Sequence, residues 1–332
     1  MTGCLNNDAS IGSYFRMAVE DSDTVNCVPA NFTSGSERYF PLSENIQFTD
    51  TVVGSNGLTG TLDRIANHLR PGTRFVIGRL LMEVGPNELA NWLPRILGND
   101  PSGTTYTTAM DHELKPFDLL FQRDQGTVIY RHCVVSRALF RAAASLDSDP
   151  ESQVLRMALD IVGAEEHDAE WPAEGPGIPQ ENRLYWLFGD CDFELQINTP
   201  PADATALPID AFNLLIDNNL DFKSRNSLWI SFMRARERVI RLQATTPYTE
   251  DVHDELYINR FDGPGTLRFR GNKNLAGAPE EPWLTEFSFP RLYQQRITPT
   301  TSGRGEIVKS LELTAYRTHN EEPISITNQL TA

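Results

Sequence analysis

Residues 74–84, Arg-Phe-Val-Ile-Gly-Arg-Leu-Leu-Met-Glu-Val, are apolar or β-branched almost throughout and predict a strand. After them the period changes. Leu89, Trp92, Leu93, Ile96 and Leu97 recur at three- and four-residue spacing, which puts them on one face of a helix over residues 86–97. Pro86 fits the first helical position, where no amide is needed, and Gly98 fits a left-handed stop. Pro94 predicts a kink or a split, because its ring removes a ladder hydrogen bond. Two β-type runs, 117–123 and 127–135, then flank Asp124-Gln125-Gly126 as a hairpin. Over residues 152–163, Leu155, Met157, Leu159 and Ile161 alternate with Arg156, Ala158 and Asp160, so the strand period prevails.

Ahead of these elements, residues 1–36 are rich in Asn, Asp, Ser and Thr with isolated apolar positions, the composition of an extended arm. Residues 168–182 are dense in proline, glycine and acid and read as a linker between a first domain over 37–167 and a second over 183–332. In the second, strands are expected at 184–188, 192–197, 207–218, 266–270, 284–289 and 306–317, with 228–245 a long strand or a bent pair. Phe212, Leu214 and Ile216 share one face of their strand. A second helix is expected to begin near Thr246-Pro247 or Thr249 and to stop before Gly263, with Glu250 and Asp251 where the helix dipole favours anions. Both halves run through strands, a proline-started helix, a hairpin, a Ser/Thr-rich turn and a last alternating strand, the order of a duplicated unit. The fold class expected is mainly β with one helix per domain, an α+β chain of two tandem domains.

Composition narrows the function classes. The chain has 332 residues, 40% hydrophobic and 22% charged, which suffices for two cores. No apolar run reaches bilayer length, so no membrane partner is expected. Met1-Thr2-Gly3-Cys4 carries no basic segment ahead of an apolar one, which leads us to expect a chain that stays in the cytoplasm where it is made. Cys4, Cys27, Cys133 and Cys191 contain no C-x-x-C pair and read as ordinary reduced thiols. A net charge of −16 argues against a tight grip on DNA through counterion release. Repulsion is still usable, since a conduit that DNA must traverse quickly is well served by an acidic wall.

Motifs for chemistry are sparse. H-E-x-x-H, G-x-S-x-G and Walker-type loops do not occur, so no enzyme is expected and no catalytic residue, cofactor or metal is assigned. Gly263-Pro264-Gly265 reads as a turn. Glu165-Glu166-His167-Asp168 and the group His319, Glu321 and Glu322 read as solvated loops, because consecutive ligands do not converge on one point. Asp210, Asp217 and Glu306 are the carboxylates that a carbohydrate-binding module or hydrolase would have to gather in a cleft. Arg234, Arg236 and Arg238 recur every second residue and on a strand would form a basic stripe, paired with acids of the same or an adjacent subunit.

The order of elements, from Gly78-Arg79-Leu80-Leu81-Met82-Glu83-Val84 through Leu97-Gly98, Lys115-Pro116-Phe117-Asp118-Leu119-Leu120 and Tyr130-Arg131-His132-Cys133-Val134-Val135, resembles the bacteriophage tail tube family. Phe212-Asn213-Leu214-Leu215-Ile216-Asp217-Asn218-Asn219-Leu220, Thr298-Pro299 and Arg304-Gly305-Glu306-Ile307 extend the resemblance to members with a duplicated tube domain. The resemblance implies two tandem β-sandwich or half-barrel domains whose inner sheets join into a barrel, so that a trimer makes a pseudo-hexameric ring. It also implies a place in the virion tail, assembled in the host bacterial cytoplasm. The implied partners are the chain itself, a tape-measure protein, tail terminator and distal tail or baseplate proteins, and passing double-stranded DNA held without specific binding. Arg156 and Asp160 on residues 152–163, and Glu312 and Thr314 on residues 306–317, are the lumen-facing candidates. A distal tail or tail-terminator ring protein is the alternative within the same class.

Overall fold

The computed structural model describes residues 16–22, 32, 37–39, 41–54, 69–110, 113–123, 126–144, 150–171, 185–196, 205–247, 261–271, 283–294 and 308–329. The first half contributes β1 (Arg16–Asp21), β2 (Glu37–Tyr39), β3 (Ser43–Glu44), β4 (Gln47–Gly54), β5 (Leu69–Glu83), helix α1 (Pro86–Leu97), β6 (Thr105–Thr107), β7 (Phe117–Arg123), β8 (Gly126–Ala143), β9 (Arg156–Gly163) and β10 (Glu165–Ala169). The second contributes β11 (Cys191–Leu195), β12 (Thr205–Ala206), β13 (Ala211–Asp217), β14 (Leu220–Lys223), β15 (Phe232–Ala235), β16 (Val239–Pro247), β17 (Asp262–Arg270), β18 (Leu284–Tyr293), β19 (Val308–Ala315) and β20 (Ser325–Gln329). The chain is mostly β and its strand ladders are antiparallel.

One order of pairing occurs twice. In the first half β4 pairs with β5, β5 with β9 and β9 with β8; in the second β13 pairs with β16, β16 with β19 and β19 with β18. A further sheet, β2-β1-β7-β8-β10, is matched by β12-β11-β17-β18-β20. Each half therefore has two sheets that share one long strand, β8 or β18. The halves join where β13 lies against β8, from Ala211 opposite Ala143 to Asp217 opposite Arg137. This makes β4-β5-β9-β8-β13-β16-β19 one uninterrupted sheet across both halves.

Strand β8 can serve two sheets because it bends. His132 has a positive φ of 51°, and the ladder slips between Phe117 and Leu119 and again between Val135 and Arg137. Such slips turn corners between packed sheets. The His132 amide donates to the carboxylate of buried Asp118 at 2.8 Å, which holds the corner from β7.

A single core cluster draws on both halves. It takes Met17, Phe117 and Phe121 from one sheet, Val76, Leu80 and Met157 from the other, and Phe212, Leu242, Phe269 and Phe287 from the second half. Phe140 meets Phe287 at 5.7 Å between ring centroids. Helix α1 is bound into this arrangement at both ends. At its start the Pro86 carbonyl accepts from Asn328, whose side-chain oxygen in turn accepts from Thr285. At its end the carbonyls of Ile96 and Leu97, which have no intrahelical donor, accept from Asn218 and Arg238 at 3.0 and 3.1 Å. A cation there also suits the dipole.

Several expectations are corrected. Residues 16–21, placed within an extended arm, are a strand between β2 and β7, and Met17, Ala18 and Val19 are buried because both faces of that sheet are covered. Asp21 ties the strand to α1 through Arg95 at 2.7 Å. Glu165–Ala169 is strand β10 against β8, so Asp168 and Ala169 belong to a sheet and not to a linker; residues 172–184 lie outside the described residues. Gly263-Pro264-Gly265 is not a turn but a bulge within β17, where a Cβ on Gly265 would come within 2.6 Å of Leu195. Of the strand expected over 184–188, Leu187 is extended and bridges Val154, whereas Phe188 opens a short 3-10 turn that ends at Asp190. Helix α1 runs unbroken through Pro94, and Gly98 ends it at φ 85° with its amide donating to the Pro94 carbonyl. Of the second expected helix, Thr246 and Pro247 close β16, and residues 248–260 lie outside the described residues. Strand β20 was not expected at all.

Candidate functional site

The spanning sheet has one face on the core; on the other, among the described residues, β14 approaches at Phe75, whose ring lies 5.9 Å from that of Phe222, and most of the remaining side chains are exposed or half-buried. Alternation decides which side chains go where: Val76, Leu80, Met157, Leu159, Phe140, Leu214, Leu242 and Leu313 are buried, while their neighbours point the other way. Strand register then arranges the outward side chains in rows. One row crosses Arg79, Asp160, Arg137 and Asp217, alternating in charge over four strands. Arg79 forms a two-pronged pair with Asp160 at 2.6 and 3.0 Å, and Arg137 reaches Asp217 at 2.8 Å. The hydrogen bond from Arg79 to Asp160, helped by the carboxylate's charge, holds the guanidinium above its usual range. The arginines of both pairs are about half exposed, 54% and 47%, so each pair is worth about 1 kcal/mol or less. A second row crosses Leu81, Ala158, Leu139, Leu215, Arg241 and Thr314. A third crosses Glu83, Arg156, Arg141, Asn213, Gln243 and Glu312.

The four residues singled out beforehand as facing a lumen, Arg156, Asp160, Glu312 and Thr314, thus share one face of one sheet, although they come from opposite halves of the chain. What sequence reasoning missed is their company: Arg79, Arg137, Arg141, Asp217 and Arg241. Alternation within each strand carried that signal, but the register that aligns the strands does not show in any local pattern. The charge of this face also departs from expectation. Arg79, Arg137, Arg141, Arg156 and Arg241 stand against Glu83, Asp160, Asp217 and Glu312, close to balance in a chain of net charge −16. Cross-strand pairing supports the first row, where opposite charges face each other, but not the third, where Arg141 stands opposite Arg156.

The expected basic stripe is divided. Arg234 lies exposed on β15, opposite Asp221. Arg236 follows that strand and pairs with Asp221 at 2.8 Å. Arg238 is turned inward to the end of α1, donating to the Leu97 carbonyl and to Asn218. The three therefore do not form one surface. Asp210 and Asp217 stand at opposite ends of β13, roughly 20 Å apart at the rise of an extended strand. That is beyond the separation at which two carboxylates share a glycosidic bond. Glu306 lies outside the described residues.

His167 pairs with Glu165 at 2.8 Å on β10, and Glu322 accepts from Thr108 and pairs with Arg317. Among the described residues no three His, Cys, Asp or Glu side chains converge as a metal would require. A depression of about 360 Å³ is lined by Phe188, Cys191, Phe193, Leu207 and Ile209, with Asp192 as its charged member. Burial, with Asp192 and Asp190 nearby, pushes the Cys191 thiol up to about 12, and burial raises Cys133 as well. Thiols so raised are poor nucleophiles.

No family model matches the chain, and a search of curated proteins finds no match either. The geometry of the spanning sheet is therefore the basis for a functional reading.

Proposed function

We propose that the protein is the major structural subunit of a bacteriophage tail tube, acting by polymerisation into stacked rings and not by catalysis. The observation that supports this best is the spanning sheet, whose outward face collects Arg156, Asp160, Glu312 and Thr314 with their pairing partners into one continuous wall. A twisted sheet with one face on the core, and on the other charged rows flanking a row that is apolar over four strands, can close into a barrel without exposed edges when extended by further copies. The repeated order of pairing fits two tandem tube domains, so that three chains would supply the walls of a pseudo-hexameric ring. The lumen would conduct double-stranded DNA, with the tape-measure protein inside during assembly and terminator and distal tail proteins at the ends. On the first row Asp160 and Asp217 interrupt the cations Arg79 and Arg137, an alternation that suits passage of DNA without capture. The place of action on this reading is the virion.

Negative-stain electron microscopy of the purified protein tests the reading. Long hollow tubes are the expected result, and they separate the tube subunit from a terminator or distal ring, whose rings do not stack. A protein that stays monomeric at high concentration would contradict it.

A further inference from the structure

Strand β13 carries a different surface at each of its ends. The segment that enters it, residues 206–209, lines the depression together with Phe188, Cys191 and Phe193. The segment that leaves it forms the β14–β15 hairpin, which stands outside the large sheet. The seven residues of β13 set the two surfaces roughly 20 Å apart. In a barrel the strand ends form the two rims, so in a stack one surface faces the ring above and the other the ring below. We infer that the hairpin of one copy seats on the depression of a second copy in the next ring, with Leu228 against its apolar floor and Arg225 beside Asp192. This rests on the assembly reading above and names the contact that stacks its rings.

The hairpin is held in place before it meets a partner. A two-stranded hairpin is marginal alone, and this one is pinned to the first half. Where β9 leaves β5, at Gly163 opposite Val76, the hairpin takes up the space beyond. There the Arg74 amide donates to the Leu228 carbonyl at 2.7 Å, and the rings of Phe222 and Trp229 lie 5.9 and 5.8 Å from those of Phe75 and Phe48. A surface fixed in this way loses little freedom on docking. Its remaining members face solvent. Leu228 is 42% exposed, and Arg225 is exposed with its guanidinium 4.2 Å from the Phe232 ring centroid. Asp221 is taken by Lys223 and Arg236, which leaves Arg225 and Arg234, among the described residues, without a carboxylate partner.

The depression is complementary in both respects. Phe188, Leu207 and Ile209 make it apolar, and Asp192 is exposed at its rim with Asp190 two residues before it. Arg268, which stands opposite Asp192 in the ladder, is taken by Glu194 and Glu286. Apolar surface and unpaired cations at one end therefore meet apolar surface and an unpaired carboxylate at the other. Double-stranded DNA would satisfy the guanidiniums alone and leave Leu228 in water. Because each copy carries both surfaces, at opposite ends, the contact is heterologous and propagates as an open stack.

The test is charge exchange: Arg225→Glu, Asp192→Arg and the two combined, at exposed positions whose variants should unfold thermally as the wild type does. Each single variant should form rings but raise the concentration for half-maximal stacking at least about tenfold, read by sedimentation and negative-stain microscopy. The combined variant should recover stacking. Hydrogen exchange on the wild-type protein reads the contact without a variant, since the amides of residues 187–192 and 224–228 should slow when rings become tubes. Single variants that stack as wild type, a combined variant as poor as either single one, or unchanged exchange over both segments overturns this contact while tube formation stands. Normal stacking by Arg225→Glu with lost retention of double-stranded DNA assigns the hairpin to nucleic acid instead. A wild-type chain that never assembles overturns the tube reading and this contact with it.

Discussion

Asn218 and Arg238 show how much one pair of side chains can hold. Asn218 donates to the carbonyls of Ile96 and Val135 and accepts from Arg238, all within the interior between α1, β8 and the turn after β13. Burial pushes Arg238 down to about 10, which still leaves it protonated at neutral pH and able to donate to the helix end. Replacing Asn218 by alanine strands two carbonyls and one guanidinium contact, a loss of about 2–3 kcal/mol. Arg234→Ala, on the exposed hairpin, should change stability by less than about 0.5 kcal/mol. Urea unfolding of the two variants checks the contrast, and equal midpoints would contradict this role for Asn218. The alternation of Arg234, Arg236 and Arg238 is visible in the sequence, yet their divergence is not. It follows from the chain leaving β15 after Ala235 and turning into the core, which only the packing of α1 dictates.

At the scale of elements, long periodic stretches were legible and short buried ones were not. Strand β5, helix α1 and the β7–β8 turn stand where their hydrophobic periods place them, because each carries enough apolar positions to outweigh its flanks, although β8 runs on to Ala143, past the 127–135 expected. Strand β1 has only Met17, Ala18 and Val19 to announce it among polar residues, and β10 is polar apart from Ala169 and lies on the rim of a sheet. Their strand character comes from backbone pairing with β7 and β8, a tertiary cause. Pro94 is tolerated because it sits in the last turn of α1, where Gly98 still closes onto its carbonyl at 2.8 Å. Removal of residues 1–22 provides the test for β1. It strips the partner from β7 and uncovers Phe117 and Phe121, so the truncated chain should melt lower and aggregate. A truncated chain that melts with the wild type would contradict the placement of β1 in the sheet.

For the whole molecule, the repeat is the feature on which the account turns. Duplication was legible as an order of elements, and the pairings give it content: two matched sets of sheets, joined through β8 and β13 into one sheet across both halves. That Arg156, Asp160, Glu312 and Thr314 point away from the core side of their strands was legible from alternation alone, whereas the ladder of Arg79, Asp160, Arg137 and Asp217 was not, since it joins residues far apart in the chain. Whole-chain charge was a poor guide to this face, because the net −16 is a sum over every surface. The most direct measurement is a cryo-electron microscopy reconstruction of the assembled protein, which shows which face of the spanning sheet lines the interior. The account predicts a hollow tube with Arg79, Asp160, Arg137 and Asp217 facing the lumen. A polymer with that row on its outer surface, or buried between rings, would contradict it.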